Sequence, residues 1–142
     1  MRRILSTLLV TVLAALPVVI VVQSAEAAAS CTATSTRPTS HGGRYDAAGT
    51  GICTGVYRET ITVCLQEKLT HHTTYTDISC ITPTVPAPSD TFVGTGTSAA
   101  CSPGAHNVRT KTVMRGKNSS GTVIATKTDF APAPGSLTNC IG

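Results

Sequence analysis

Beyond residue 29 the apolar residues of this chain never recur at the spacing of a helix; they alternate with polar ones in short runs bounded by Gly, Pro, Asn or Ser. Such alternation predicts strands with one face buried and one in water. The expected strands cover residues 31–37, 44–54, 58–69, 75–82 and 90–97, followed by a long hairpin around residues 118–121. Residues 38–43, 70–74 and 102–104 read as loops or turns. Gly49 and Gly51 interrupt the second strand, which implies a bulge or a close approach of another backbone. The similar triplets Gly49-Thr50-Gly51 and Gly94-Thr95-Gly96 read as strand bulges rather than an internal repeat. Residues 83–88 hold three prolines and form a stiff extended linker that cannot join a ladder.

Two hairpins allow a register to be written. Asn118-Ser119-Ser120-Gly121 is a turn signal, with Gly at the left-handed position of a short hairpin loop. Placing Asn118 opposite Thr122 sets Lys111 against Asp129. One face then carries Val108, Thr110, Thr112, Met114, Ile124, Thr126, Thr128 and Phe130. The other carries Arg109, Lys111, Val113, Arg115, Lys117, Lys127 and Asp129. In the earlier hairpin, pairing Cys64 with Cys80 collects Ile61, Val63, Leu65, Leu69, Tyr75 and Ile81 on one face. It also opposes Glu67 and Asp77, a like-charge pair that a bulge would relieve.

The N-terminus adds a compartment. Met1-Arg2-Arg3 precedes an apolar run over residues 4–22 and the small-residue tract Ala25-Glu26-Ala27-Ala28-Ala29, the order of a secretory signal peptide. Ala-x-Ala motifs place the cut before Ala28 or before Ser30. The expected organisation is a signal peptide over 1–27 and one secreted domain over 28–142. An uncleaved anchor is disfavoured by Pro17 and the cleavage motif. Lipidation at Cys31 is disfavoured by a poor lipobox and by the odd thiol it would leave. No stable membrane anchor is expected, and the product is read as extracellular and bacterial.

Export changes what the cysteines mean. Six follow the signal, and six in a small exported chain read as a disulfide framework. Pairing sequence neighbours gives Cys31–Cys53, Cys64–Cys80 and Cys101–Cys140, one of fifteen possible connectivities. The framework compensates for a thin core: residues 28–142 contain 40 hydrophobic residues and no Trp. Their 23 threonines suit the solvated faces of strands. Nine basic and six acidic residues leave a charge of +3 with His neutral, too mild to imply nucleic acid.

Candidate chemistry is sparse. His41, His71, His72 and His106 lie in loops without metal-ligand spacing, so no metal and no cofactor is expected. There is no Gly-x-Ser-x-Gly elbow, and His41-Gly42-Gly43 alone does not make an oxyanion loop. The acids do not pair as a glycosidase requires, and the chain is read as non-enzymatic. A basic stripe remains: Arg109, Lys111, Arg115, Lys117 and Lys127 on the outer face of the last hairpin. It reads as a solvated, edge-protecting face or as a surface for an anionic partner.

Ile61-Thr62-Val63-Cys64-Leu65-Gln66, Cys101-Ser102-Pro103-Gly104-Ala105-His106, Val108-Arg109-Thr110 and Asn118-Ser119-Ser120-Gly121-Thr122-Val123 resemble runs in small secreted proteins of actinomycetes. The resemblance covers residues 53–140 and implies an immunoglobulin-like β-sandwich; it carries over no activity and no site. The expected fold is thus an all-β, disulfide-stabilised, immunoglobulin-like sandwich of about seven strands. The expected function is a non-catalytic extracellular binding or envelope-associated module, its partner a cell-wall polymer or an extracellular protein. The alternative is an inhibitor of extracellular proteases that presents Pro83, Pro86, Pro88 and Asp90 on a rigid loop. A secreted toxin or antimicrobial protein is third.

Overall fold

The computed structural model describes residues 28–69, 71–83, 85, 92–100 and 106–132, with the side chain of His106 excepted. None of these residues is helical. Eight strands follow one another: β1 (Ser30–Ser35), β2 (Thr39–His41), β3 (Arg44–Thr54), β4 (Arg58–Leu69), β5 (Thr76–Ile81), β6 (Val93–Ala100), β7 (His106–Lys117) and β8 (Val123–Pro132). The extra strand is β2. Residues 38–43, expected as a loop, instead form the first arm and turn of a tight hairpin with Ser40 opposite Tyr45 and His41 opposite Arg44. Gly42 and Gly43 both have positive φ, 53° and 74°, which a two-residue turn between twisted strands requires.

The strands form two antiparallel sheets packed face to face. In the first, β3 is central: β6 pairs along one side, while β1 and β2 pair with different parts of β3. Thr36 lies in the break between β1 and β2, its backbone N–H and hydroxyl both donating to the Ala48 carbonyl. The second sheet runs β5-β4-β7-β8.

Alternation, regular on β3 and broken on β4 where residues 63–66 are all buried, builds the core between them. Tyr45, Ala47 and Cys53 from β3 pack against Ile61, Val63 and Leu65 from β4 and Val108 and Met114 from β7. Gly49 and Gly51 also face inward, where a Cβ would overlap the side chains of Thr112 and Met114 respectively. Close approach, not a bulge, explains them. The two Gly-Thr-Gly triplets form a regular ladder, with Gly49 opposite Thr95 and Thr50 opposite Gly94, so the bulges expected there are absent.

Polar bonds close the sandwich. Ser35 in β1 donates its N–H to Asp129 Oδ2 in β8 at 2.7 Å, and its hydroxyl donates to the Asp129 carbonyl and is hydrogen-bonded with the Thr112 hydroxyl. The buried Glu59 carboxylate accepts from the Cys53 N–H at 2.7 Å, joining β4 to β3. Two disulfides are present, Cys31–Cys53 and Cys64–Cys80, each between directly opposed residues of neighbouring strands. They are compatible with an oxidising compartment. Cys101 and Cys140 lie outside the described residues, as do residues 1–27 and the expected turn at 102–104.

Candidate functional site

The site is built by two bulges. On β5, Leu65 opposes Ser79 but Gln66 opposes Asp77, so Ile78 is the extra residue. This is the bulge that the opposition of Glu67 and Asp77 called for, and Glu67 now faces Thr76. Ile78 packs against the core. The register beyond it moves by one, and Tyr75 leaves the face of Ile61 and Val63 for the outer face of the sheet.

On β8 the turn forms as expected: the Gly121 N–H donates to the Asn118 carbonyl and the Asn118 N–H to the Thr122 carbonyl. Lys117 opposes Val123, but Gly116 opposes Ala125, leaving Ile124 as the extra residue. The expected register is therefore wrong by one for the rest of β8. Lys111 opposes Phe130, and Thr112 opposes Asp129. Asp129 turns inward to Ser35 instead of meeting Lys111. Phe130 turns outward, and Ile124 is exposed rather than core-facing. Lys127 opposes the buried Met114 and so leaves the basic stripe for the other side of the sheet.

Both displaced aromatic rings end on Arg109. Its guanidinium carbon lies 3.7 Å from the Tyr75 ring centroid and 4.2 Å from that of Phe130. Arg109 Nε donates to Gln66 Oε1 at 2.7 Å, and Gln66 Nε2 donates to Asp77 Oδ1. Asp77, Gln66 and Arg109 occupy opposed positions on β5, β4 and β7, so the ladder itself aligns this relay. Lys111 Nζ lies 3.8 Å from Asp77 Oδ2, and Lys68 Nζ 5.4 Å from the Tyr75 centroid. Arg109 is thereby fixed through Nε and by two rings. Among the described residues its terminal nitrogens have no protein acceptor.

The same face gathers charge. Side chains at alternate positions of β4 and β7 place Arg58, Lys68, Arg109, Lys111, Arg115 and Lys117 together, with Asp77 the one carboxylate described there. Arg109, Lys111, Arg115 and Lys117 were legible in the sequence as a stripe; Lys127 does not join it. Arg58, Lys68, Tyr75 and Phe130 were missed. Alternate spacing on residues 58–69 would have revealed the two cations, but the rings depend on bulges.

Other candidates resolve differently. His41-Gly42-Gly43 is a hairpin turn, and His71 and His72 are exposed in a turn. The group with metal-ligand proximity among the described residues, Cys64, Asp77 and Cys80, contains the two sulfurs of one disulfide. Of the proline-rich loop, Pro83 and Val85 are described, and Val85 packs against the core. Pro86, Pro88 and Asp90 lie outside the described residues. No protein-family model, curated protein or solved structure matches this chain.

Proposed function

We propose that the protein is a secreted, non-catalytic binding module that engages an anionic extracellular partner through the outer face of the β5-β4-β7-β8 sheet. The observation that carries this reading is the segregation of charge: six cations and one carboxylate share a single face. A one-signed surface concentrates counter-charged partners. The signal-like N-terminus and the two disulfides support an extracellular site of action.

We propose further that the sandwich is immunoglobulin-like. The support is the strand order, in which β1, β3 and β6 share one sheet and β4, β7 and β8 the other, as strands A, B and E and strands C, F and G do in such sandwiches. Both disulfides lie within a sheet, unlike the inter-sheet bridge of antibody domains.

The test is co-sedimentation of the oxidised protein with isolated cell-wall material at rising salt. Binding is expected at low ionic strength, with steep loss as the screening length shortens to about 8 Å. The variant Arg109→Gln/Lys111→Gln/Arg115→Gln is expected to lose that binding while staying folded, with a small drop in melting temperature because Arg109 gives up its Gln66 bond and two ring contacts. Binding insensitive to both salt and the triple substitution overturns the reading.

A further inference from the structure

We infer that Arg109 anchors a subsite for a linear phosphodiester polymer of short polyol units, laid along β7 on the outer sheet face; the inference rests on the anionic-partner reading above. Three observations carry it. The first is how Arg109 is held. Gln66 engages Nε, and Tyr75 and Phe130 lie at 3.7 and 4.2 Å. A guanidinium held along one edge and covered by rings retains its outer edge, where two terminal nitrogens form a planar fork that matches two oxygens of a phosphate. The relay to Asp77 fixes the fork before any ligand arrives, so little ordering remains to be done on binding.

The second is spacing. Arg109, Lys111, Arg115 and Lys117 recur along one strand at multiples of two residues, a period of about 7 Å. A row of that kind suits a thread whose anionic groups are separated by a few atoms. It suits a compact multivalent anion poorly. Where the row lacks a cation, at Val113, the opposed residues are Thr62 and Thr128, whose polar side chains suit the hydroxyls of a polyol linker.

The third observation selects among polyanions. Single-stranded nucleic acids and ring sugars are recognised largely by stacking on open aromatic platforms. Here both rings are engaged by cations: Phe130 by Arg109, and Tyr75 by Arg109 and Lys68. These contacts use the aromatic groups to position charge and leave less ring surface for bases or pyranose rings. A polymer with no ring to stack makes full use of such a surface.

The experiment measures binding of the disulfide-intact protein to a labelled glycerol-phosphate polymer by fluorescence anisotropy. Oligothymidylate and polyglutamate of matched charge serve as comparators. The glycerol-phosphate polymer is expected to bind tightest, with log affinity falling against log salt at a slope of about −3 for four engaged phosphates. Arg109→Lys, which keeps the charge and loses the fork and the stacking, is expected to weaken binding about tenfold. Lys117→Gln, at the far end of the row, is expected to weaken it less. Phe130→Leu, which releases one side of the clamp at an exposed position, serves as the independent variant and is expected to follow Arg109→Lys. Wild-type affinity in both Arg109→Lys and Phe130→Leu, or equal affinity for a comparator, overturns the subsite while leaving the anionic-partner reading intact. No binding to any of the three polyanions at low salt overturns both.

Discussion

On the outer face of the β1/β2-β3-β6 sheet the strands present Thr32, Thr34, Ala48, Thr50, Gly94 and Gly96, with Arg44 and Asp46 cancelling in charge. A shallow groove of about 520 Å³ lies there, floored by Ala48 and Gly96 and edged by Thr36, Arg37 and Asp46. On the other side of the sandwich, the face of β5-β4-β7-β8 carries six cations and two aromatic rings. The ladders are the same kind of antiparallel pairing. What differs is that the first sheet is in regular register throughout, whereas the second contains a bulge in each strand flanking the β4–β7 pair. Each bulge moves one aromatic residue from the inner face to the outer. The contrast teaches that alternation distributes the charges, but irregularity in the ladder assembles the site.

The largest expected effect comes from filling the gap between the two sheets. Gly49→Val and Gly51→Val each drive a branched side chain into Thr112 or Met114, and at Gly51 also against the Thr32 carbonyl. Overpacking of this kind costs about 1–3 kcal/mol and occasionally more, and the overlaps here, with backbone as well as side chain at Gly51, place it at the upper end. On the open face, Gly94→Ala meets only the Thr50 methyl at 3.2 Å and the Gly49 carbonyl at 3.6 Å, and is expected to cost under about 1 kcal/mol. Urea unfolding of the three variants checks this. A Gly51→Val protein as stable as Gly94→Ala would mean that the sheets do not approach as closely as described.

Much of this architecture was legible in the chain. Strand bounds at 44–54 and 58–69 follow from alternation between turn residues, and pairing sequence neighbours gave both observed bridges. The turn at residues 118–121 was legible because Asn and Gly have few other uses at that spacing. The register of β8 was not. A single extra residue reverses every later side chain. Ile124, an apolar residue in an alternating run, gives no local sign that it is the one left unpaired. The site inherits that limit: its cations could be placed from parity, its rings could not.

The disulfides come next. Replacing both cysteines of either bridge with Ala opens loops of similar length, 22 and 16 residues, for a loss of about 3 kcal/mol each. The Cys31–Cys53 variant is expected to lose more, because Cys53 is fully buried and its removal also leaves a void among core residues. Access separates the bridges as well. Cys80 is exposed, so mild reductant followed by alkylation and mass analysis is expected to find Cys64 and Cys80 modified before Cys31 and Cys53. The opposite order would locate the weaker side of the fold in the first sheet.

A smaller effect appears only in alkali. Burial raises the Tyr45 hydroxyl above its ordinary 10.0, and the charge of Glu67 adds to the rise. The folded protein thus holds this proton more tightly than the unfolded chain. Stability is unaffected by this group below pH about 10 and falls as pH rises through and above that value, where the unfolded state gains by ionising. Tyr45→Phe removes the ionisable group. Its stability profile is expected to decline less steeply in that range than the parent's, as read by denaturant midpoints at successive pH values. Parallel declines would show that the tyrosine does not contribute.

The finest test uses two lysines that a regular register would have placed on the same face. The bulge at Ile124 sets Lys127 opposite Met114, while Lys111 stays on the outer face beside Asp77 and opposite Phe130. Lys111→Gln removes a half-exposed ion pair at 3.8 Å, and Lys127→Gln removes an exposed charge, so each is expected to change stability by under about 1 kcal/mol. Their effects on polyanion binding are expected to differ. Losing Lys111 takes a cation from the row along β7 and frees Asp77 to repel the ligand, so affinity falls several-fold and the salt slope becomes shallower by about one contact. Lys127, directed to the other side of the sheet, is expected to leave both unchanged. Equal losses from the two variants would mean that the anion does not follow the outer face, because no path along β7 on that face reaches Lys127.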